Sequence, residues 1–419
     1  MPSNRTTPLL PTTRREFINL SSKGIGLLAF SQFAPQFLVQ STRAAAPAPE
    51  KDRSILVLVQ LAGGNDGLNT LVPFEDPEYY RLRPTIGIQK ANALRLSDTA
   101  GLHPSCGAMR SLFDSGKLAV VQNVGYPNPN RSHFRSTEIW ETATASDETS
   151  STGWVGRFLD NACAGMPVES HDPVAVHVTS GLPQSFNAGT SHSTFGLAPG
   201  GGNRRDNEET RKLLETMART GSATGGVDNS TFLKQTLMDA LVTEKKVQRL
   251  IGDYRPGSPY PTNGFATSLR NVAALIAAGL PTRVYFVSLS GFDTHSNQLN
   301  AHANLLTQLS EGLAAFQKDL EAHKLDGQVM TMTFSEFGRR PNENESKGTD
   351  HGTSAPLFVM GSQVKGGLHG TAPSLKLERN QDVAFSTDFR RVYASALDGW
   401  LNTPSEPVLG GKFERLGFV

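Results

Sequence analysis

Ser54-Ile55-Leu56-Val57-Leu58-Val59-Gln60-Leu61 runs directly into Ala62-Gly63-Gly64-Asn65-Asp66-Gly67-Leu68-Asn69. An apolar, β-branched run without polar alternation reads as a strand covered on both faces. The glycines then allow a tight turn and leave Asp66, Asn65 and Asn69 at the strand's carboxyl end, where open α/β sheets hold their ligands. No Gly-x-Gly-x-x-Gly and no Lys-Ser/Thr ending follows, so a phosphate-cradling loop is not indicated.

Working outward, further apolar strands are expected at 118–124, 174–178, 284–289, 329–334 and 357–360. Helical periodicity marks 107–115, 132–143, 154–164, 231–251, 265–278, 297–321 and 387–401. Strands alternating with long helices predict an α/β fold whose mostly parallel central sheet carries helices on both faces. The stretch 180–228, rich in Gly, Ser, Thr and Asn, reads as an irregular insertion with one charged helix at 207–219.

The 419 residues suffice for a large core. We assign 1–46 to a signal peptide, 47–53 to a linker and 54–419 to a single domain. Thr12-Thr13-Arg14-Arg15-Glu16-Phe17-Ile18, followed by a short apolar segment and Ala44-Ala45-Ala46, has the form of a twin-arginine export signal. The predicted location is therefore periplasmic or extracellular, with the twin-arginine translocase as a transient partner. The formal charge of +1 comes from that leader, where Arg5, Arg14, Arg15, Lys23 and Arg43 face only Glu16. No basic patch points to nucleic acid. Cys106 and Cys163 can form at most one bridge or stay free thiols.

Polar clusters recur just after predicted strands: Asn65 and Asp66; Asn130, Arg131, Ser132, His133 and Arg135; Asp293 and His295; and Glu336 with Arg339 and Arg340. A fifth, Gly348-Thr349-Asp350-His351-Gly352, precedes a strand instead. Brought to one sheet edge, Asp66, Asp293, His295, Glu336, Asp350 and His351 would form a mixed carboxylate and imidazole site. That mixture suits divalent zinc or manganese better than an all-oxygen calcium site, and it has room for two metals. Each residue also has a plainer role: Asp66 as a turn stabiliser, Asp293 as a helix cap, Glu336 as a partner of Arg339. Ser132, at a helix start, is either a nucleophile favoured by the helix dipole or an N-cap. Arg135 is placed with it in the catalytic set, and Asn65, Arg131, His133 and Arg339 are the candidate substrate-binding side chains. No Gly-x-Ser-x-Gly elbow is present. Cys106-Gly107-Ala108-Met109-Arg110 has the outline of a sulfatase core motif, but its helical neighbours favour a buried thiol.

Leu61-Ala62-Gly63-Gly64-Asn65-Asp66-Gly67-Leu68-Asn69, Gly101-Leu102-His103-Pro104, Arg131-Ser132-His133-Phe134, Gly291-Phe292-Asp293-Thr294-His295, Ser335-Glu336-Phe337-Gly338-Arg339 and Asp350-His351 together resemble the bacterial domain-of-unknown-function family numbered fifteen hundred and one. The resemblance implies kinship with the alkaline phosphatase and sulfatase superfamily. It therefore implies an alkaline-phosphatase-like three-layer fold, a metal site at the sheet's carboxyl edge with Ser132 near the nucleophile position, and hydrolysis of a small-molecule or polymer phosphate or sulfate ester. The chain departs from the phosphatase pattern at Glu336-Phe337, where an Asp-His pair is expected, and in the close spacing of Asp293 and His295. A non-catalytic binding or assembly protein, working with another exported protein, is the alternative.

Overall fold

β1 (Ile55–Ala62) takes the central position foreseen for it: Ile55, Val57, Val59 and Leu61 face one apolar cluster, while Leu56 and Leu58 face a second. Each such side chain contributes about 1.5–3 kcal/mol through burial. The structure is a computed structural model that describes residues 53–162, 172–201 and 229–419. The export leader, Cys163 and the helix expected at 207–219 lie outside the described residues.

In chain order the remaining strands are β2 (Leu71–Val72), β3 (Leu94–Arg95), β4 (Gly101–Leu102), β5 (Leu118–Gly125), β6 (Ala175–Val178), β7 (Thr194–Leu197), β8 (Val284–Ser290), β9 (Val329–Phe334), β10 (Ala355–Met360), β11 (Gly367–His369) and β12 (Thr387–Asp388). The helices are α1 (Gly67–Thr70), α2 (Pro77–Leu82), α3 (Gly107–Asp114), α4 (His133–Thr142), α5 (Trp154–Ala162), α6 (Asn229–Asp253), α7 (Gly264–Ala277), α8 (Gln298–Ala322), α9 (Phe389–Ala394) and α10 (Ser405–Leu409).

The main sheet has the order β11-β5-β10-β9-β1-β8-β6-β7, with β12 also on β5. β1 pairs in parallel with β8 and β9, whereas β10 runs antiparallel to both β9 and β5. Helices cover both faces. Met109 of α3, Leu269 of α7 and Leu313 of α8 pack on one side, while Trp140 of α4, Phe158 of α5 and Tyr393 of α9 pack on the other. The architecture is thus a three-layer α/β fold with a mostly parallel sheet. β2, β4 and β3 form a separate antiparallel ribbon.

Two expectations change. The stretch expected to be irregular from 180 onward contains β7, which extends the main sheet beside β6. Its half-exposed alternation is too short to stand out in a Ser- and Gly-rich segment. The strand expected at 357–360 is β10, and its reversed direction explains why the fifth polar cluster comes before a strand. The start of an antiparallel strand lies at the edge where its parallel neighbours end. Among the described residues no helix is long and apolar enough to cross a membrane.

Cys106 closes a short 3-10 turn and is fully buried and free, with its thiol pushed up to about 12 by burial. A thiol held neutral in the core is not a nucleophile. In a Cys163→Ser background, Cys106 is expected to resist alkylation by iodoacetamide until the protein is unfolded; fast labelling of the native protein would refute this placement.

Candidate metal centre

Four chain segments deliver the site: the loop after β5 with the start of α4, the loop after β8, the loop after β9, and the segment before β10. His133 Nε2 lies 3.4 Å from Asp293 Oδ1, and His351 Nε2 and His295 Nε2 each lie 3.1 Å from that same oxygen. The ligand atoms of His133, Asp293 and His351 all fall within 4.8 Å of one another. His295 Nε2 is 3.0 Å from His351 Nε2.

The other nitrogen of each ring settles its tautomer. His133 Nδ1 meets Glu336 Oε1 at 2.8 Å, His351 Nδ1 meets the Arg131 carbonyl at 2.8 Å, and His295 Nδ1 meets Asp350 Oδ1 at 3.3 Å. Carboxylates and a carbonyl only accept, so the Nδ1 atoms carry the protons and the Nε2 lone pairs converge on Asp293. His133 Nε2 is buried and makes no hydrogen bond. Converging lone pairs of this kind repel one another unless a cation sits among them. An outer acceptor on each imidazole is also how ligating histidines are held in protein metal sites. The donor set therefore fits a divalent metal.

Asp293 is half exposed, so the cluster opens to solvent. Partial burial raises its carboxyl, but the hydrogen bond and the positive charge of Arg339 help to outweigh that, and it lies at about 2. It is a carboxylate throughout the neutral range. The hydrogen bond to Glu336 raises the His133 pKa against the opposing effect of burial.

The loops approach closely because glycines permit it. Gly63, at φ +120°, would place a Cβ 2.4 Å from the Asp293 backbone nitrogen, and a Cβ at Gly348 would come within 2.2 Å of the His295 carbonyl carbon. Gly63→Ala combines a disfavoured φ with this clash. It is expected to cost about 1–3 kcal/mol in denaturant unfolding and to weaken metal binding by moving Asp293. Unchanged values for both would show that the loop is not held this way.

The predicted residues divide sharply. Asp293, His295 and His351 come together as expected. Glu336 and Asp350 do not face the common point; they hold His133 and His295 by their Nδ1 atoms. His133, expected to bind substrate, instead points its Nε2 into the cluster.

Asp66 is corrected. It is fully buried: Oδ2 is ion-paired with Arg83 at 2.6 Å and also accepts from Gln298, while Oδ1 accepts from the Asn69 N–H and caps α1. Neither oxygen is left for a metal. Asn65 is likewise interior, its Oδ1 meeting Thr70 and His302. Among the described residues one candidate cluster of three or more ligating side chains is present, that of His133, Asp293 and His351.

Arg339 is buried and spends its guanidinium on the carbonyls of Gly63, Gly64, Phe292 and Thr349 and on Asp293 Oδ1 at 2.6 Å. It ties the loops together, and its Nη1 is 3.5 Å from His295 Nε2. Arg135 pairs with Glu138 at 2.7 Å and donates to the carbonyls of Ser146 and Glu148, which removes it from the catalytic set. Arg131 pairs with Asp382. Ser132 is exposed directly before His133, and although it occupies the N-cap position its hydroxyl makes no cap hydrogen bond.

The fold is similar to several solved structures. These include the zinc complex of the C-terminal periplasmic domain of EcEptC from Escherichia coli (11% identity, 75% of each chain covered, TM-score 0.34). The lipoteichoic acid synthase LtaP from Listeria monocytogenes is similar at 9% identity, over 77% of this chain and 68% of that one, with a TM-score of 0.35. A protein in the alkaline phosphatase superfamily from Vibrio parahaemolyticus is similar at 8% identity, over 76% and 62%, with a TM-score of 0.32. Likenesses this distant carry no residue-level inference. No curated protein matches the chain by sequence. Residues 53–399 match the family described as "Protein of unknown function (DUF1501)", and the chain belongs to that family, as its motif set led us to expect.

Proposed function

We propose that this protein is an exported, divalent-metal-dependent hydrolase of phosphate or sulfate esters. The observation that carries the reading is the convergence of three Nε2 lone pairs on Asp293 Oδ1, each imidazole held from behind by an acceptor. His133, His351, His295 and Asp293 would hold the metal. Their nitrogen-rich set favours zinc over calcium, with manganese as the second choice. When bound there, such a metal supplies Lewis acidity toward an ester oxygen.

The chain's own groups do the rest. Glu336 and Asp350 orient His133 and His295, and Arg339 fixes the Asp293 carboxylate. Ser132, exposed next to His133 and at the start of α4, is the candidate nucleophile. The substrate is a small-molecule or polymer ester, and Arg14-Arg15 of the leader provides the twin-arginine route of export.

One observation favours the alternative, a non-catalytic binding or assembly protein that works with another exported protein. Arg131, Arg135 and Arg339 are all engaged by protein groups, which leaves the predicted set without a cation for a transferring oxyanion. Native purification followed by metal analysis and assay with nitrophenyl phosphate and nitrophenyl sulfate separates the readings. The hydrolase reading expects about one divalent ion per chain and chelator-sensitive hydrolysis. It also expects Ser132→Ala to lose hydrolysis without losing metal. Bound metal with no hydrolysis would support the binding protein; neither metal nor hydrolysis would refute the hydrolase.

A further inference from the structure

Arg340, which follows the saturated Arg339, has a different situation. Its side chain is 29% exposed, and among the described residues its guanidinium makes no hydrogen bond. Its nearest carboxylate oxygen, Asp382 Oδ1, is 3.9 Å from Nε. That oxygen is itself buried without a hydrogen-bond partner. The other oxygen of Asp382 is taken by Arg131. Two arginines therefore share one carboxylate, and only one of them is bonded to it.

Both arginines are built into the frame of the metal cluster. The Arg131 carbonyl accepts from His351 Nδ1, and the Arg340 backbone N–H donates to the Asp350 carbonyl at 2.9 Å. Arg339 and His351 form a β-bridge, which fixes the residue after Arg339 beside the cluster. A guanidinium with unused donors beside a single shared carboxylate is open to an oxyanion, and its planar fork suits phosphate, sulfate or carboxylate.

We propose that Arg340, with Arg131 beside it, is an anion-recognition subsite at the rim of the metal cluster, selecting substrates that carry a second anionic group besides the ester. The ester depends on the hydrolase reading above, while the anion subsite does not. Asp382 acts as a resident competitor that a substrate anion displaces from the arginine pair.

The test uses the folded full-length protein with metal removed by chelation and inorganic sulfate as the probe, titrated calorimetrically in chloride-free buffer. Because no metal and no turnover are involved, its failure is distinct from failure of the hydrolase reading. Arg340→Gln is expected to weaken sulfate binding roughly tenfold, with Arg340→Lys intermediate. Asp382→Asn is expected to tighten it roughly two- to fivefold, which a merely structural arginine pair would not produce. Metal uptake on reloading checks that each variant has folded, and Arg340→Lys carries the test if the glutamine variant has not. Sulfate binding that is absent in the parent protein, or equally tight in folded Arg340→Gln or Arg340→Lys, would overturn the proposal.

Discussion

Asp293→Ala is expected to abolish stoichiometric divalent-metal binding while leaving the fold intact. Asp293 supplies the only carboxylate among the converging ligand atoms, and it is the group toward which all three Nε2 atoms point. Loss of an outer partner typically costs about 10–100-fold in metal affinity. Glu336→Gln should fall in that range, and loss of Asp293 should exceed it. The stability cost is small because the side chain is half exposed and Arg339 keeps its four carbonyl acceptors. Calorimetric zinc titration of both variants reads the difference. Wild-type affinity in Asp293→Ala would remove the site. The pH response follows from the same groups. Ligation requires unprotonated imidazoles, and His133 is shifted upward by Glu336, so affinity should fall as pH drops through the histidine range. Asp293, with its carboxyl near 2, still carries its charge there.

Asp66→Ala is expected to have the largest effect on stability while removing no metal ligand. Asp66 and Arg83 are both wholly buried, so solvent does not screen their pair. Removing one partner strands the other charge in the interior, at a cost of about 3–5 kcal/mol. Arg83 also donates to Asn69 and to the carbonyls of Arg340 and Pro341, so the loss would spread toward the loop that carries Arg339. Burial raises the Asp66 carboxyl, but the charge and hydrogen bond of Arg83 outweigh it, and the net shift is downward. A depressed carboxyl stabilises the fold above its unfolded pKa, near 4. That contribution is lost as pH falls through the lower folded value. Acid unfolding of the parent protein should therefore show a component absent from Asp66→Ala. Metal loss without destabilisation in this variant would instead restore Asp66 as a ligand.

The contrast between Asp66 and Asp293 shows what could be read from the chain. The run through Val57 and Val59 announces a doubly covered strand by composition alone, and helices such as α7 and α8 announce themselves by period. Strand ends then nominate polar clusters, which is how Asp293, His295 and His351 were found together. What the sequence does not display is which polar residue faces which neighbour. Asp66 lies in the same Gly-rich turn as Gly63, yet Arg83, seventeen positions away, draws it into the core. Glu336 and Asp350 are near enough to have passed for ligands, and only the geometry of the imidazole Nδ1 atoms separates an outer partner from a coordinating one. His133 was overshadowed by Ser132 beside it. His133, His295 and His351, each in a separate polar cluster at the same sheet edge, are the signal in the chain for a nitrogen-rich site. Arg340 and Asp382 approach each other although β10 and β11 lie between them in the chain, and no local pattern links them.

X-ray absorption at the zinc edge, on protein reconstituted with one equivalent of zinc, reads the ligand set itself. A nitrogen- and oxygen-coordinated ion is expected, with multiple-scattering features from histidine imidazoles that are reduced by one imidazole in His351→Ala. A spectrum lacking imidazole scattering, or one unchanged by His351→Ala, would contradict that ligand set.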